Sequence, residues 1–428
     1  MPSIKEKLHK ENGYNLHLIQ SEKYKTINIV VKFKAPLVKE TITKRALLAY
    51  VLQQGTQSHP SSRELRTALD DLYGAVLSID GGKKGESHIM SLRLEVANEK
   101  YLASNEEVME KAMELLNEII YHPKLEGEHF DSKIVKREKQ TLKQKMDSVI
   151  DDKMSYANMR LIDEMCNDEP YKLHVHGYPD DLDEINEITL FDYYKELLVN
   201  DQMDIYILGD IEGKEIDKTV QSKFSREHSQ TQQHQKVTTK SVEKVNEIKE
   251  EQSVQQGKLH LGYRTNIGYN DPEYFALQVF NGLFGGFPSS KLFMNVREKH
   301  SLAYYAASRI ESHKGLLFVF SGIDPNDYNK AKDIILEQME SMKQGDFTDN
   351  QVEETKNMVI SQLLETMDHP QGLIELLYHQ ILSDSQIKPD QMIEKIKDVK
   401  KDDLLKVGEK LELDTVYFLT SKGGNVDE

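Results

Sequence analysis

Arg297 and Tyr304 stand seven residues apart in the run SSKLFMNVREKHSLAYYAA. That is about two helical turns, or one helix end followed by a return into a strand. An arginine and a tyrosine converging on one point can donate hydrogen bonds to a peptide carbonyl and to the oxyanion that grows from it. Spacing alone favours a plainer assignment, with Arg297 paired to a nearby acid and Tyr304 capping a sheet edge. Metal chemistry has less to work with. A helical zinc site needs two histidines one turn apart, and the sequence has no H-x-x-x-H pair. His174 and His176, in LHVHG, would share one face of a strand, but no acid or cysteine is obviously supplied nearby. A solvent-exposed or hydrogen-bonding role is expected for both. His228 and His234 lie in a polar stretch and read as solvated. Cys166 is the only cysteine, which excludes an intrachain disulfide and a thiolate metal cluster. Gly285-Gly286 lacks the Lys-Ser/Thr of a phosphate loop and is expected to end a helix. No serine sits in a nucleophile elbow.

The composition bounds the reading. With 428 residues the chain exceeds one ordinary domain, and 38% hydrophobic against 30% charged residues describes a globular protein with real cores. A net charge of -17 argues against nucleic acid and against anionic lipid as partners. The opening MPSIKEKLHKENGYNLHLI lacks the apolar core of a signal peptide. No stretch approaches the roughly 18 apolar residues of a membrane span. The expectation is a cytoplasmic protein.

Period-two alternation predicts a strand pair, Tyr14 to Ile19 and Thr26 to Phe33, and further strands at Met90 to Val96, Met203 to Asp210 and Lys258 to Arg264. Helical spacing predicts helices over about 44–54, 61–73, 105–120, 126–150, 153–165, 272–283, 350–366 and 373–381. Between about Ser225 and Gln252 the chain is polar and Gln-rich, and reads as a linker. The domains expected are therefore an N-terminal half over 1–224, a linker over 225–252 and a C-terminal half over 253–428.

The two halves resemble each other. ALLAYVLQQGTQSHPSSRELRTALDDLYGA and FALQVFNGLFGGFPSSKLFMNVREKHSLAYYAA share an apolar helix, a Gly stop, Pro-Ser-Ser, an amphipathic helix and a tyrosine leading into a strand. Internal duplication follows. The fold class expected is α+β: two homologous halves, each a mostly antiparallel sheet with helices on one face.

Three blocks, GYNLHLIQSEKYKTINIVVKF, GYPDDLDEINEITLFDYYKELLVNDQMDIYILGDI and FNGLFGGFPSSKLFMNVREKHSLAYYAAS, make the sequence resemble the pitrilysin or insulinase-type (M16) zinc peptidases almost end to end. The resemblance implies a clam-like pair of halves around a chamber for peptides. Aligned on Gly55-Thr56, the family's inverted zinc motif H-x-x-E-H falls on Ala46, Ala49 and Tyr50, so two ligands and the general base are missing. The third ligand position falls on Lys145, after Gln144. An ammonium there would repel zinc. Arg297 and Tyr304 match the family's substrate-holding pair, which turns the assignment of that pair toward function. The resemblance thus implies the non-metal, Arg/Tyr-bearing subunit of a heterodimeric processing peptidase. It would have no cofactor of its own, with zinc in a homologous partner chain and peptides as substrates. A catalytically inactive structural or peptide-binding member of the fold is the alternative, and a peptide-binding homodimer a third reading.

Overall fold

The computed structural model describes residues 4–103, 107–227 and 237–421; His228 and His234 lie outside them. Backbone contacts divide the chain into two units: Met1–Ser148 with Leu173–Gln233, and Val149–Lys172 with His234–Glu428.

The first unit is built on the strands β1 (Lys5–Glu11), β2 (Tyr14–Gln20), β3 (Thr26–Pro36), β4 (Val76–Lys84) and β5 (Ser87–Ala97). A short hairpin, β6 (Leu125–Glu126) with β7 (His129–Phe130), precedes the last strand, β8 (Gln202–Gly209). The sheet order is β1-β2-β8-β3-β5-β4, with β2 and β8 parallel and the other pairs antiparallel. In β3 the alternation decides the faces: Ile27, Ile29, Val31 and Phe33 join the apolar core, while Asn28, Lys32 and Lys34 stand between them. Helices α1 (Lys39–Val51), α2 (Ser62–Asp71), α3 (Val108–Tyr121) and α4 (Ser132–Asp151) supply Leu47, Leu65, Leu116 and Leu142 to that core. The chain then runs through α5 (Lys153–Met165), which belongs to the second unit, and returns as α6 (Glu187–Asn200) and α7 (Ile216–Phe224).

The second unit holds β9 (Asn246–Gln252), β10 (Gly257–Arg264), β11 (Ala303–Glu311), β12 (Leu316–Ile323) and β13 (Glu412–Ser421), in the order β11-β12-β10-β13-β9. Here β9 runs parallel to β13 and the other pairs are antiparallel. The helices are α8 (Tyr274–Asn281), α9 (Tyr328–Lys343), α10 (Asp349–Asp368), α11 (Pro370–Ser383), α12 (Pro389–Lys397) and α13 (Lys401–Lys410). Leu277, Ile335, Met392 and Leu404 from four of them pack with Leu261, Val319 and Phe418 of the sheet.

The duplication read in the sequence is expressed in the topology. Strands β4-β5-β3-β8-β2 and β11-β12-β10-β13-β9 follow one order, each with one parallel pair at the same place. Strand β1 is the first unit's addition.

Two segments depart from the division at 224 and 252. The last seven residues of the segment read as a linker, Asn246–Gln252, form β9. Their composition is polar because β9 is an edge strand, with Ile248 half-buried between exposed Glu247 and Lys249. Helix α5, encoded in the first half, lies in the second unit, where Ala157, Leu161 and Met165 pack with Phe318, Phe320, Tyr417 and Leu419. Gly262 of β10 makes room for it, since a Cβ there would stand 2.5 Å from the Met165 sulfur.

Candidate functional site

In the first unit, the residues at the family's metal positions do not fit zinc. Ala46 and Ala49 of α1 are buried in the helix-side core, 5% and 3% exposed, and offer only methyl groups. Tyr50 is half-buried against the same core. Burial first, then the carboxylate of Glu138, pushes its hydroxyl above the usual phenol range. Gln144 and Lys145 are exposed on α4. Burial lowers the pKa of His176, and the nearby ammonium of Lys145 and then His174 lower it further. The third ligand position therefore places a cation beside an imidazole kept neutral.

His174 and His176 are not on a strand. They lie in a turn closed by the Gly177 N–H donating to the His174 carbonyl at 2.9 Å, with His174 stacked on Tyr178 at 4.8 Å. Gly177 has φ 77°, which suits glycine and breaks the alternation that LHV suggests. Next to this turn, Arg45 donates from Nε to His88 Nδ1 at 2.9 Å and pairs with Asp201 at 2.5 Å. Burial and then the Arg45 charge hold His88 down to about 3. Among the described residues, no group of three or more His, Cys, Asp or Glu is placed to hold a metal.

In the second unit, Arg297 and Tyr304 stand on one short stretch with several constraints. Gly282–Gly286 and Phe293–Lys299 are both π-helical, a rare winding that concentrates at functional sites. Gly285-Gly286 thus prolongs α8 as a π-helical turn rather than simply ending it. The reason is close packing: a Cβ on Gly285 would stand 2.7 Å from the Ser308 backbone nitrogen on β11. The repeated Pro-Ser-Ser serves the same purpose in both units. Ser61 Oγ accepts from the Glu64 N–H at 3.2 Å, and Ser290 Oγ accepts from the Phe293 N–H at 3.4 Å, so each motif caps the helix that follows.

After Lys299 the chain turns through Ser301 at φ 52°, with the Ser301 N–H on the Arg297 carbonyl and the Leu302 N–H on the Val296 carbonyl, both at 3.0 Å. Val296 and Leu302 are buried and fix the corner. β11 then begins as an edge strand, and its register against β12 shifts between Ala303 and Tyr305. Tyr304 is the extra residue of that bulge, and its side chain is 74% exposed.

The plainer assignment is met in part, since Arg297 has an acid beside it and Tyr304 stands on an edge strand, but neither contact uses a hydrogen bond. The acid beside Arg297 is Glu298, 3.6 Å from Nε in an exposed ion pair, beyond hydrogen-bond reach. The guanidinium instead lies over the ring of Phe293, with Cζ 4.6 Å from the centroid. No described residue hydrogen-bonds the Tyr304 hydroxyl. The fork of N–H donors and the phenol both remain free to bind something else. The sequence reading missed Phe293 and Ser301. An aromatic residue four before the arginine was the available signal for Phe293, and nothing marked Ser301.

Residues 185–359 match the family model described as Peptidase M16 inactive domain. The chain is 46% identical over 424 residues to a probable inactive metalloprotease, YmfF, of Bacillus subtilis, covering 99% of this chain and all of that one. An uncharacterized zinc protease of the same organism, YmxG, is 23% identical over 60% of this chain and 61% of its own length. Among solved structures, a conserved protein from Enterococcus faecalis superposes with a TM-score of 0.88 at 35% identity, over 97% of this chain and 98% of that one. The chain belongs to the M16 peptidase family, as one of its inactive-type members.

Proposed function

We propose that this chain is the non-metal subunit of a two-chain zinc peptidase and contributes substrate binding and oxyanion stabilisation to peptide-bond hydrolysis. The observation that supports the reading is a pair of donors, Arg297 and Tyr304, that make no hydrogen bond to a described residue and stand on a π-helix and a bulge. A scaffold has no chemical use for two free donors presented this way. Arg297 would hold the substrate carbonyl region as a cationic fork, and the Tyr304 hydroxyl would donate to the oxygen as its charge grows. Each donor strengthens as the carbonyl becomes tetrahedral, which is the condition for acting on turnover rather than on binding alone. An extended peptide can add to the edge of β11 beside Tyr304. Zinc and its general base would come with a homologous partner bearing H-x-x-E-H, a chain of the kind the zinc protease YmxG is named for.

The test is cleavage of a quenched peptide library by this chain, by a zinc-motif subunit from the same source, and by the two mixed. Activity that appears only on mixing, and is lost with Arg297→Ala or Tyr304→Phe, supports a shared active site. A stable complex with no gain in cleavage overturns the reading and leaves a structural or peptide-binding member of the fold.

A further inference from the structure

We infer that Phe293 is the positioning residue for Arg297, an inference that rests on the proposed function of that arginine. Three observations converge. Phe293 and Arg297 are four residues apart on the same π-helical segment, and the guanidinium carbon lies 4.6 Å from the ring centroid. At that distance the ring attracts the cation through its π face without using any N–H donor. The alternative anchor, Glu298, stands 3.6 Å away and is half exposed, so the carboxylate does not fix the fork. Phe293 is itself placed: its N–H is held by Ser290 Oγ, Ser290 is 1% exposed, and the ring is half-buried.

The chemical consequence is specific. An arginine oriented by a carboxylate spends two donors on it and loses part of its charge to the pair. An arginine laid on a ring keeps its whole donor fork and its full charge, and still gives up rotamer freedom before substrate arrives. Phe293 would therefore act on the step where the carbonyl oxygen gains charge more than on substrate capture.

The experiment uses the full chain with Phe293→Leu and Phe293→Tyr beside Arg297→Ala. In the isolated chain, NMR of the Arg297 side-chain δ and ε protons should show an upfield ring-current shift that Phe293→Leu removes and Phe293→Tyr keeps. In the mixture with the zinc-motif subunit, Phe293→Leu should lower kcat about three- to fivefold with KM changed less than twofold, and Phe293→Tyr should restore it. If Arg297→Ala lowers turnover while Phe293→Leu matches wild type, or if wild type shows no upfield shift, Phe293 does not position the arginine. If Arg297→Ala itself leaves turnover unchanged, the proposed function fails and this inference falls with it.

Discussion

Glu250 on β9 accepts a hydrogen bond from Tyr156 of α5, with 2.6 Å between the two oxygens. The same carboxylate accepts from Tyr417 of β13 at 2.8 Å, Gln252 at 2.9 Å and Arg160 at 3.2 Å, so one side chain ties α5 to the adjacent strands β9 and β13. Burial alone would raise its pKa, but these four donors outweigh burial and hold it down to about 2. A depressed carboxyl stabilises the fold above its unfolded pKa, about 4.3, and loses that contribution as pH falls through 2. Replacing Glu250 with Ala should cost about 2 kcal/mol, because the two tyrosine hydroxyls lose their acceptor. Urea midpoints of wild type and variant should differ at pH 7, and the gap should narrow from about pH 4 and close only as pH falls through about 2. A gap that persists at acid pH would mean the carboxylate charge is not what holds α5.

The close approach of Gly285 to β11 predicts an asymmetry between adjacent glycines. At Gly285 a methyl meets Ser308 Oγ at 2.5 Å, Leu292 at 2.7 Å and the Ser308 backbone at 2.7 Å. Gly285→Ala should cost about 1–3 kcal/mol, as overpacking does. At Gly286 the first contact is the side-chain amide of Asn281 at 2.9 Å and the nearest backbone atom is the Asn281 carbonyl oxygen at 3.1 Å, a looser fit than at Gly285, so Gly286→Ala should cost less. Thermal melts of the two variants decide it, and equal losses would show that the packing here can give.

Free donors predict function without stability. Arg297→Ala and Tyr304→Phe each remove a group that makes no hydrogen bond to a described residue. Both variants should unfold within about 0.5 kcal/mol of wild type. A larger loss for Tyr304→Phe would reveal a structural role for the hydroxyl.

His17 predicts an opposite pH trend. Its Nδ1 meets Glu6 of β1 at 2.7 Å, its Nε2 lies 3.5 Å from Asp204 of β8, and the ring stacks on Tyr206 at 4.1 Å. Burial pushes its pKa down, yet the two carboxylates outweigh burial and raise it above the ordinary value. A raised histidine stabilises the fold fully below its unfolded pKa, about 6.5, and loses that contribution as pH rises through the folded value. The stability gap between wild type and His17→Gln, measured in urea, should be larger at pH 6 than at pH 9. An unchanged gap would mean that the imidazole is neutral in the folded protein.

Metal removal should do nothing. Ala46, Ala49, Tyr50 and Lys145 offer no ligand set, and metal that is not bound cannot stabilise. Dialysis against EDTA should leave the melting temperature within about 1 °C, whereas a drop of several degrees would disclose a bound ion.

What the sequence revealed follows from where local signals coincide with tertiary ones. The helix over 153–165 was readable to the residue because Asp152 caps it and its apolar stripe is regular. Its destination was not, since the stripe of Ala157, Leu161 and Met165 says only that some sheet covers it. β9 was hidden because an edge strand carrying Glu247, Lys249 and Glu251 looks like solvated chain until β13 is beside it. At the site, Arg297 and Tyr304 were visible as residue types. The π-winding that carries one and the bulge that projects the other had no local signal, and neither did the close approach of Gly285 to Ser308, residues 23 apart.

The chain passes from one unit to the other three times, because the segment with α5 leaves the first unit and comes back. A gene split between codons 224 and 246 would therefore not yield two self-sufficient modules. The downstream fragment would present bare Phe318, Phe320 and Tyr417, and the upstream fragment would carry α5, the helix that packs on them. Co-expressed, the two polypeptides should find each other through that helix and purify as a nicked whole.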